Sequence, residues 1–151
     1  MTRLTTTLRN HGPRVTACLA VLALAGALSA AALASDTAYT VKVNVVKPTV
    51  PMSSSFKVVA TGFSANTSQL VVYLNQTHKC ELTAAAESTL PKAVETIHKH
   101  VTGAYTASRS EVAHFLGRHY ACAYLRSIPP PTPVLLRARA SAPYKVISAT
   151  G

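Results

Sequence analysis

The first 34 residues constrain this chain most, because they have the composition of a segment that directs export. Three arginines and no acidic residue precede a stretch without charged side chains, residues 15–34, in which alanine, leucine and valine dominate. The stretch ends in Ala32-Leu33-Ala34, which places small side chains at the two positions that a signal peptidase reads. We therefore predict a cleavable signal peptide over residues 1–34 and one mature domain over residues 35–151.

Cys18 lies inside this segment, after a tripeptide that resembles the cleavage box of bacterial lipoproteins. In lipoproteins this box stands at the end of the apolar stretch, whereas here it stands at the beginning. Cleavage at this point would therefore leave no apolar segment before the cleavage site. We expect no lipidation, and we expect Cys18 to be removed with the signal peptide. The mature protein is then expected to be secreted or periplasmic, with no membrane contact after cleavage.

Two cysteines, Cys80 and Cys122, remain in the mature chain. An even number of cysteines in an exported domain predicts disulfide bonds, and two thiols allow only one pairing. The pairing closes a loop of 42 residues, which the chain-entropy model values at about 4 kcal/mol. The chain contains no Cys-x-x-Cys motif, so we predict that the Cys80–Cys122 disulfide is structural.

The charge of the mature chain is basic but scattered. Removing the three signal arginines leaves 12 of the 15 lysines and arginines against 5 acids, a net charge of about +7. No two basic residues are adjacent, and no basic stripe or helix of the kind that binds nucleic acid is evident. The surplus favours contact with an anionic partner instead. We expect an envelope polysaccharide or another exported protein, and no nucleic acid.

Alternation of apolar and polar residues with period two, together with β-branched and aromatic content, predicts mostly strands. The predicted strands cover residues 39–45, 55–63, 70–74, 96–106, 111–116, 119–125, 134–140 and 144–147. A turn is predicted at residues 64–67 and a stiff polyproline connection at residues 129–133. Residues 81–90 favour a short helix that ends before Pro91. About seven short strands with frequent turn signals indicate a β-sandwich or barrel.

Tyr120-Ala121-Cys122-Ala123-Tyr124 places a tyrosine two residues before the second cysteine, on the penultimate strand. This arrangement resembles the tyrosine corner of immunoglobulin-like domains, and the chain is similar to small secreted bacterial proteins of that kind. The resemblance implies an all-β, immunoglobulin-like antiparallel sandwich of about seven strands with a short helix inserted near residues 81–90. It assigns Tyr120 to the corner. The chain has no tryptophan, which antibody-type domains bury on the third strand. Because Cys80 follows the third strand, the disulfide would tie the loop after that strand to the penultimate strand, its neighbour in the same sheet, rather than joining the two sheets.

The residues that usually support catalysis form no motif here. The single aspartate lies near the start of the mature chain, and the four glutamates are far apart. No nucleophile elbow or phosphate-binding loop is present. We therefore predict no enzyme and no cofactor, although an active site assembled in space from distant residues stays open as a third alternative.

His98 and His100 provide the sharper alternative function, because residues i and i+2 of a strand share one face, about 7 Å apart. Two such imidazoles and a third histidine from a neighbouring strand would suit zinc or copper. No carboxylate is expected nearby to orient the rings. An alternative interpretation is that His100, Tyr105 and Tyr124 form a binding surface. The leading expectation is an exported, non-catalytic binding or structural module of the bacterial envelope or extracellular space, with a metal-binding protein as the alternative.

Overall fold

The computed structural model describes residues 38–76, 79–128 and 134–149, all within one compact unit, residues 35–151. They form strands β1 (Tyr39–Val46), β2 (Thr49–Pro51), β3 (Ser55–Asn75), β4 (Ala93–Val112), β5 (Gly117–Ser127) and β6 (Leu136–Ile147), and helix α1 (Ala84–Ser88). The predicted signal peptide and the proline-rich connection lie outside the described residues. In the described part of the chain, no helix has the length and apolar character needed to cross a membrane.

The two long strands, β3 and β4, contribute to both layers of the sandwich. The first half of β3 pairs antiparallel with β1, and its second half pairs antiparallel with β5, while β4 follows β3 along its whole length. β6 continues the second layer beyond β5, and β2 adds a short parallel pairing to β6. The first layer thus contains β1, and the second layer contains β5 and β6.

Alternate side chains of both layers fill the space between them and form one core. Its fully buried members include Val58, Ala60, Leu70, Val72, Ala121, Ala123 and Leu125. Because the period-two pattern of the strands matches the observed burial, the predicted all-β sandwich with a short inserted helix is confirmed. The helix, α1, lies inside the predicted range of residues 81–90, and Thr83 caps its start by accepting a hydrogen bond from the Ala86 amide at 3.2 Å.

The turn predicted at residues 64–67 was wrong, because β3 continues through this region with a shift of register. Ser64 and Ser68 flank the shift, and both are fully buried. Their hydroxyl oxygens lie 2.6 Å apart, and both hydroxyls donate to the Asn66 carbonyl, at 2.6 and 3.1 Å. These hydrogen bonds satisfy the Asn66 carbonyl at the irregular position, so the strand bends here and the chain does not reverse its direction. Two predicted strands are therefore one, and the described residues form six strands rather than about seven.

The short strand predicted at residues 111–116 was also largely wrong. Glu111 and Val112 are the last residues of β4, which starts earlier and ends later than the predicted strand over residues 96–106. Ala113 is buried. Its amide donates to the Ser54 carbonyl at 3.1 Å, and its carbonyl accepts from the Ser53 amide at 2.7 Å. The chain then leaves the sheet as a loop that reaches β5.

Gly62 marks a close approach between β1 and β3. A side-chain carbon at this position would lie 2.0 Å from the carbonyl oxygen of Thr40 and 2.6 Å from the hydroxyl oxygen of Tyr105. Tyr105 extends across the glycine from β4 and donates its hydroxyl proton to the Thr40 carbonyl at 2.8 Å. The absence of a side chain is therefore what allows β1, β3 and β4 to meet here.

We expect Gly62→Ala to lower the free energy of unfolding by about 1–3 kcal/mol, the usual cost of overpacking. The carbonyl of Thr40 belongs to the backbone and cannot retreat without weakening the pairing of β1. Urea denaturation followed by circular dichroism measures the effect. Ser108→Ala, at an exposed position of β4, serves as the control and should change stability by less than about 0.5 kcal/mol. Unchanged or increased stability of Gly62→Ala would contradict the close approach.

Candidate binding cleft beside the disulfide

Residues 79–92, called the cover segment below, pack on the outer face of the second layer. Beneath this segment, four side chains of β3 and β5 are at most 6% exposed: Val71, Tyr73, Cys122 and Tyr124. Ala84 of α1 packs against them and completes a second, smaller apolar cluster. Central strands β3 and β5 are thus buried on both faces, by the main core on one side and by the cover segment on the other.

The predicted disulfide is present and joins the cover segment to β5. The Cα atoms of Cys80 and Cys122 lie 5.5 Å apart. Cys122 is fully buried in the middle of its strand, whereas Cys80 is half-buried at the beginning of the cover segment. The bond therefore connects a loop that follows β3 to the neighbouring strand of the same layer, as the position of Cys80 in the sequence indicated.

Glu87 is the second attachment of the cover segment, and sequence reasoning did not single it out. Its side chain is fully buried. The Asn75 amide donates to Oε1 at 2.8 Å, and the backbone amide of Glu81 donates to Oε2 at 2.7 Å. The hydroxyl of Tyr124 also donates to Oε2, at 2.8 Å, and lies 2.9 Å from the Glu81 carbonyl. A buried carboxylate is tolerated only with such donors, so Glu87 links α1, β3 and β5.

Burial raises the pKa of four tyrosines. Burial raises the pKa of Tyr105 to about 12, and it is the main cause that raises the pKa of Tyr144 to about 12. The pKa of Tyr124 is raised by burial first and by its hydrogen bond to Glu87 second. Burial and the hydrogen bond to Glu95 raise the pKa of Tyr73 in the same way. All four hydroxyls therefore hold their protons more strongly in the folded chain than in the unfolded chain.

This difference predicts alkaline destabilisation. An unfolded tyrosine loses its proton near pH 10, so the stabilising contribution is complete below about pH 10 and is lost as the pH rises through the folded value of about 12. The urea midpoint should therefore stay constant up to about pH 10 and fall between about pH 10 and pH 12. Tyr144→Phe should reduce the fall. A midpoint that stays flat through this range would contradict the burial of these hydroxyls.

A cleft of about 480 Å³ opens beside the disulfide, between the cover segment and the outer faces of β5 and β6. Among the described residues that line it, three are cationic and one is acidic. The charged residues are Lys79, Arg118, Arg139 and Glu81, and three hydroxyl-bearing residues also line the cleft: Tyr120, Tyr124 and Ser141. All three cations are exposed. Three of the basic residues that looked scattered in the sequence therefore line one cleft.

The register of β5 and β6 explains this convergence. Arg118 pairs with Lys145, and Tyr124 pairs with Arg139. Since alternate residues of a strand share a face, Arg118, Arg139 and Lys145 all lie on the outer side. The guanidinium carbon of Arg118 lies 5.6 Å from the ring centre of Tyr120, and Arg139 donates to the Glu81 carbonyl at 3.4 Å. Both arginines are thus partly positioned before any ligand binds.

His98 and His100, the proposed metal ligands, lie exposed on β4. Nδ1 of His98 lies 3.0 Å from Oε1 of Glu95, and Nε2 lies 2.6 Å from Nε2 of Gln69. The expectation that no carboxylate orients these rings was wrong. A register shift between Val72 and Tyr73 brings Glu95 and His98 to one face although they are three residues apart.

A third histidine does not join this pair in the described part of the chain, where no group of three or more histidine, cysteine, aspartate and glutamate side chains is placed to hold a metal. His119 instead lies in the core, 2% exposed, with its ring 5.2 Å from that of Tyr144. Tyr120, assigned to a tyrosine corner, is half-buried under Arg118. That assignment stays a prediction. The nearby hydroxyl that reaches a backbone carbonyl is that of Tyr124.

No family model and no curated protein matches this chain. Among solved structures, it is similar to the CARDB domain of the PF1109 protein from Pyrococcus furiosus, determined in complex with di-metal ions, with 12% identity and a TM-score of 0.43 over 74% of this chain and 94% of that chain. It is also similar to PapD-like (ASH) domain 7 of human CEP192, with 10% identity and a TM-score of 0.34 over 92% and 100%. Both similarities are remote.

Proposed function

We propose that this protein is an exported, non-catalytic binding module that recognises an anionic partner of the bacterial envelope or extracellular space. The observation that carries the proposal is the convergence of Lys79, Arg118 and Arg139, from three separate segments, on one cleft. The volume of about 480 Å³ lies within the roughly 300–1,000 Å³ typical of ligand pockets. Three cations against Glu81 give the cleft a positive potential that attracts anions.

The rigid surroundings of the cleft support binding as its role. The Cys80–Cys122 disulfide fixes one wall to β5, and the buried carboxylate of Glu87 fixes α1 to β3 and β5. A site that is already shaped loses less conformational entropy when its ligand binds. The same disulfide is consistent with an oxidising compartment, which the signal-like residues 1–34 independently predict.

Charge-removing variants test the proposal. We expect immobilised mature protein, residues 35–151 with the disulfide intact, to retain a component of an envelope or culture-medium extract from the source bacterium. Arg118→Gln/Arg139→Gln should lose this retention. Lys42→Gln/Lys57→Gln removes the same charge from exposed positions on the first layer and should keep it. Equal retention by both double variants would overturn the cleft as the binding surface, and turnover of the retained component by the mature protein would overturn the non-catalytic role.

A further inference from the structure

We infer that the cleft beside the disulfide binds an acidic saccharide chain, whose carboxylate or sulfate groups receive paired hydrogen bonds from Arg118 and Arg139. This inference rests on the proposed function and names its ligand class. Four features of the second layer carry it: the positioning of the two guanidinium groups, the continuation of the basic surface, its location on a sheet face, and the hydroxyl groups between the cations.

The two arginines are prepared for planar oxyanions. The ring of Tyr120 lies below the guanidinium group of Arg118, and the Glu81 carbonyl holds one nitrogen of Arg139. Each guanidinium group has five N–H donors, so both keep free donors toward the cleft. A guanidinium group binds carboxylate, sulfate or phosphate through two parallel hydrogen bonds, and a fixed plane lowers the entropy lost on binding.

The basic surface continues beyond the cleft. Arg118 also lines a shallower neighbouring cavity of about 410 Å³, together with Lys145 and Pro143. Arg139 and Lys145 are six residues apart on the same strand, which corresponds to about 20 Å. Positive groups thus follow the outer face of β6 over a distance that a single small anion does not span. A linear ligand with repeated anionic groups fits this arrangement.

The position of the surface argues against the other linear polyanions. β5 is hydrogen-bonded to β3 on one side and to β6 on the other, so the wall of the cleft that β5 forms is a sheet face, with no free edge of β5 to which an extended acidic peptide could pair. Nucleic acid uses open aromatic faces for base stacking. The ring of Tyr120 is instead covered by Arg118 on one face.

Hydroxyl groups between the cations favour a saccharide. Tyr120 and Ser141 line the cleft together with Arg118 and Arg139. Ser141 pairs with Cys122 in the register of β5 and β6, between the pair that contains Arg118 and the pair that contains Arg139. Hydroxyls both donate and accept hydrogen bonds, as sugar hydroxyls do, whereas the cations can only donate. A saccharide with acidic substituents therefore matches both kinds of lining group.

Isothermal titration of the oxidised mature protein tests the ligand class. The probes are heparin oligosaccharides for sulfate, oligogalacturonate for carboxylate and neutral dextran as the uncharged control. We expect binding of at least one acidic saccharide, none of dextran, and weaker binding as salt is added. Arg118→Gln/Arg139→Gln should weaken it by roughly tenfold or more, the effect of losing charge-assisted hydrogen bonds. Lys42→Gln/Lys57→Gln should bind within about twofold of the parent.

Arg118→Lys/Arg139→Lys separates paired hydrogen bonding from simple attraction. This variant keeps the charge but loses the planar donors, so we expect roughly tenfold weaker binding. Binding as tight as that of the parent would overturn the inference, as would tighter binding of polyaspartate or of phosphatidylglycerol vesicles. If neither acidic saccharide binds, the proposed ligand class is overturned. If the protein nevertheless retains an extract component and Arg118→Gln/Arg139→Gln does not, the proposed function remains supported. The single variants Arg118→Gln and Arg139→Gln replace the double variant if it unfolds.

Discussion

Glu87→Ala should lower the free energy of unfolding by about 3–5 kcal/mol, although alanine is the better helix former at that position. The carboxylate accepts from the Asn75 amide, the Glu81 backbone amide and the Tyr124 hydroxyl, and its side chain is fully buried. Removing it leaves those donors with little access to water, and each unsatisfied buried donor costs about 1–3 kcal/mol. Urea denaturation of the oxidised protein measures the loss.

Glu81→Ala provides the matched control for this prediction. It makes the same chemical change in the same cover segment but keeps the backbone amide that bonds to Glu87. We expect this variant to lose less than about 1 kcal/mol. Similar losses in Glu81→Ala and Glu87→Ala would show that the carboxylate of Glu87 does not link the cover segment to the sheet.

Removal of the disulfide, by Cys80→Ala/Cys122→Ala, should lower the free energy of unfolding by about 4 kcal/mol. The bond closes a loop of 42 residues, and its loss frees the unfolded chain to occupy many more conformations. The melting temperature should fall by roughly 10–20 °C for a domain of this size. The denaturant m-value should rise, because an unfolded chain without the cross-link exposes more surface.

Reduction of the parent protein controls for packing changes at the substituted positions. Parent protein kept reduced should unfold at nearly the same urea concentration as the double-alanine variant. If the oxidised parent and the double variant share one midpoint and one m-value, the disulfide does not stabilise the cover segment, and the cleft beside it lacks its proposed support.

The parts of the fold that could be predicted depend on local patterns. The strand alternation of residues 39–45 and 119–125, and the even cysteine count of residues 35–151, are visible without any knowledge of neighbours in space. The course of β3 was not visible. Serine and asparagine at residues 64–67 are typical turn residues, and only burial between the layers shows that the hydroxyls of Ser64 and Ser68 support a bend instead.

The candidate site depends on register, which the sequence pattern does not supply. Arg118 and Arg139 are distant in the chain, and both line one cleft only because β5 and β6 pair with Tyr124 opposite Arg139. The sequence contained a weak indication that Glu87 is buried. Glu87 and Ala84 are three residues apart and therefore share one face of the short helix, the face that is buried. Its donors come from residues 75, 81 and 124, so their convergence could not be anticipated.

The intact mass of protein recovered from outside the cytoplasm, alkylated without prior reduction, tests the central claim of an exported module closed by one disulfide. We predict a chain that begins at Ser35, carries no alkyl group and is two hydrogens lighter than its reduced form. A species that retains residues 1–34, or one alkylated at both Cys80 and Cys122, would contradict the claim.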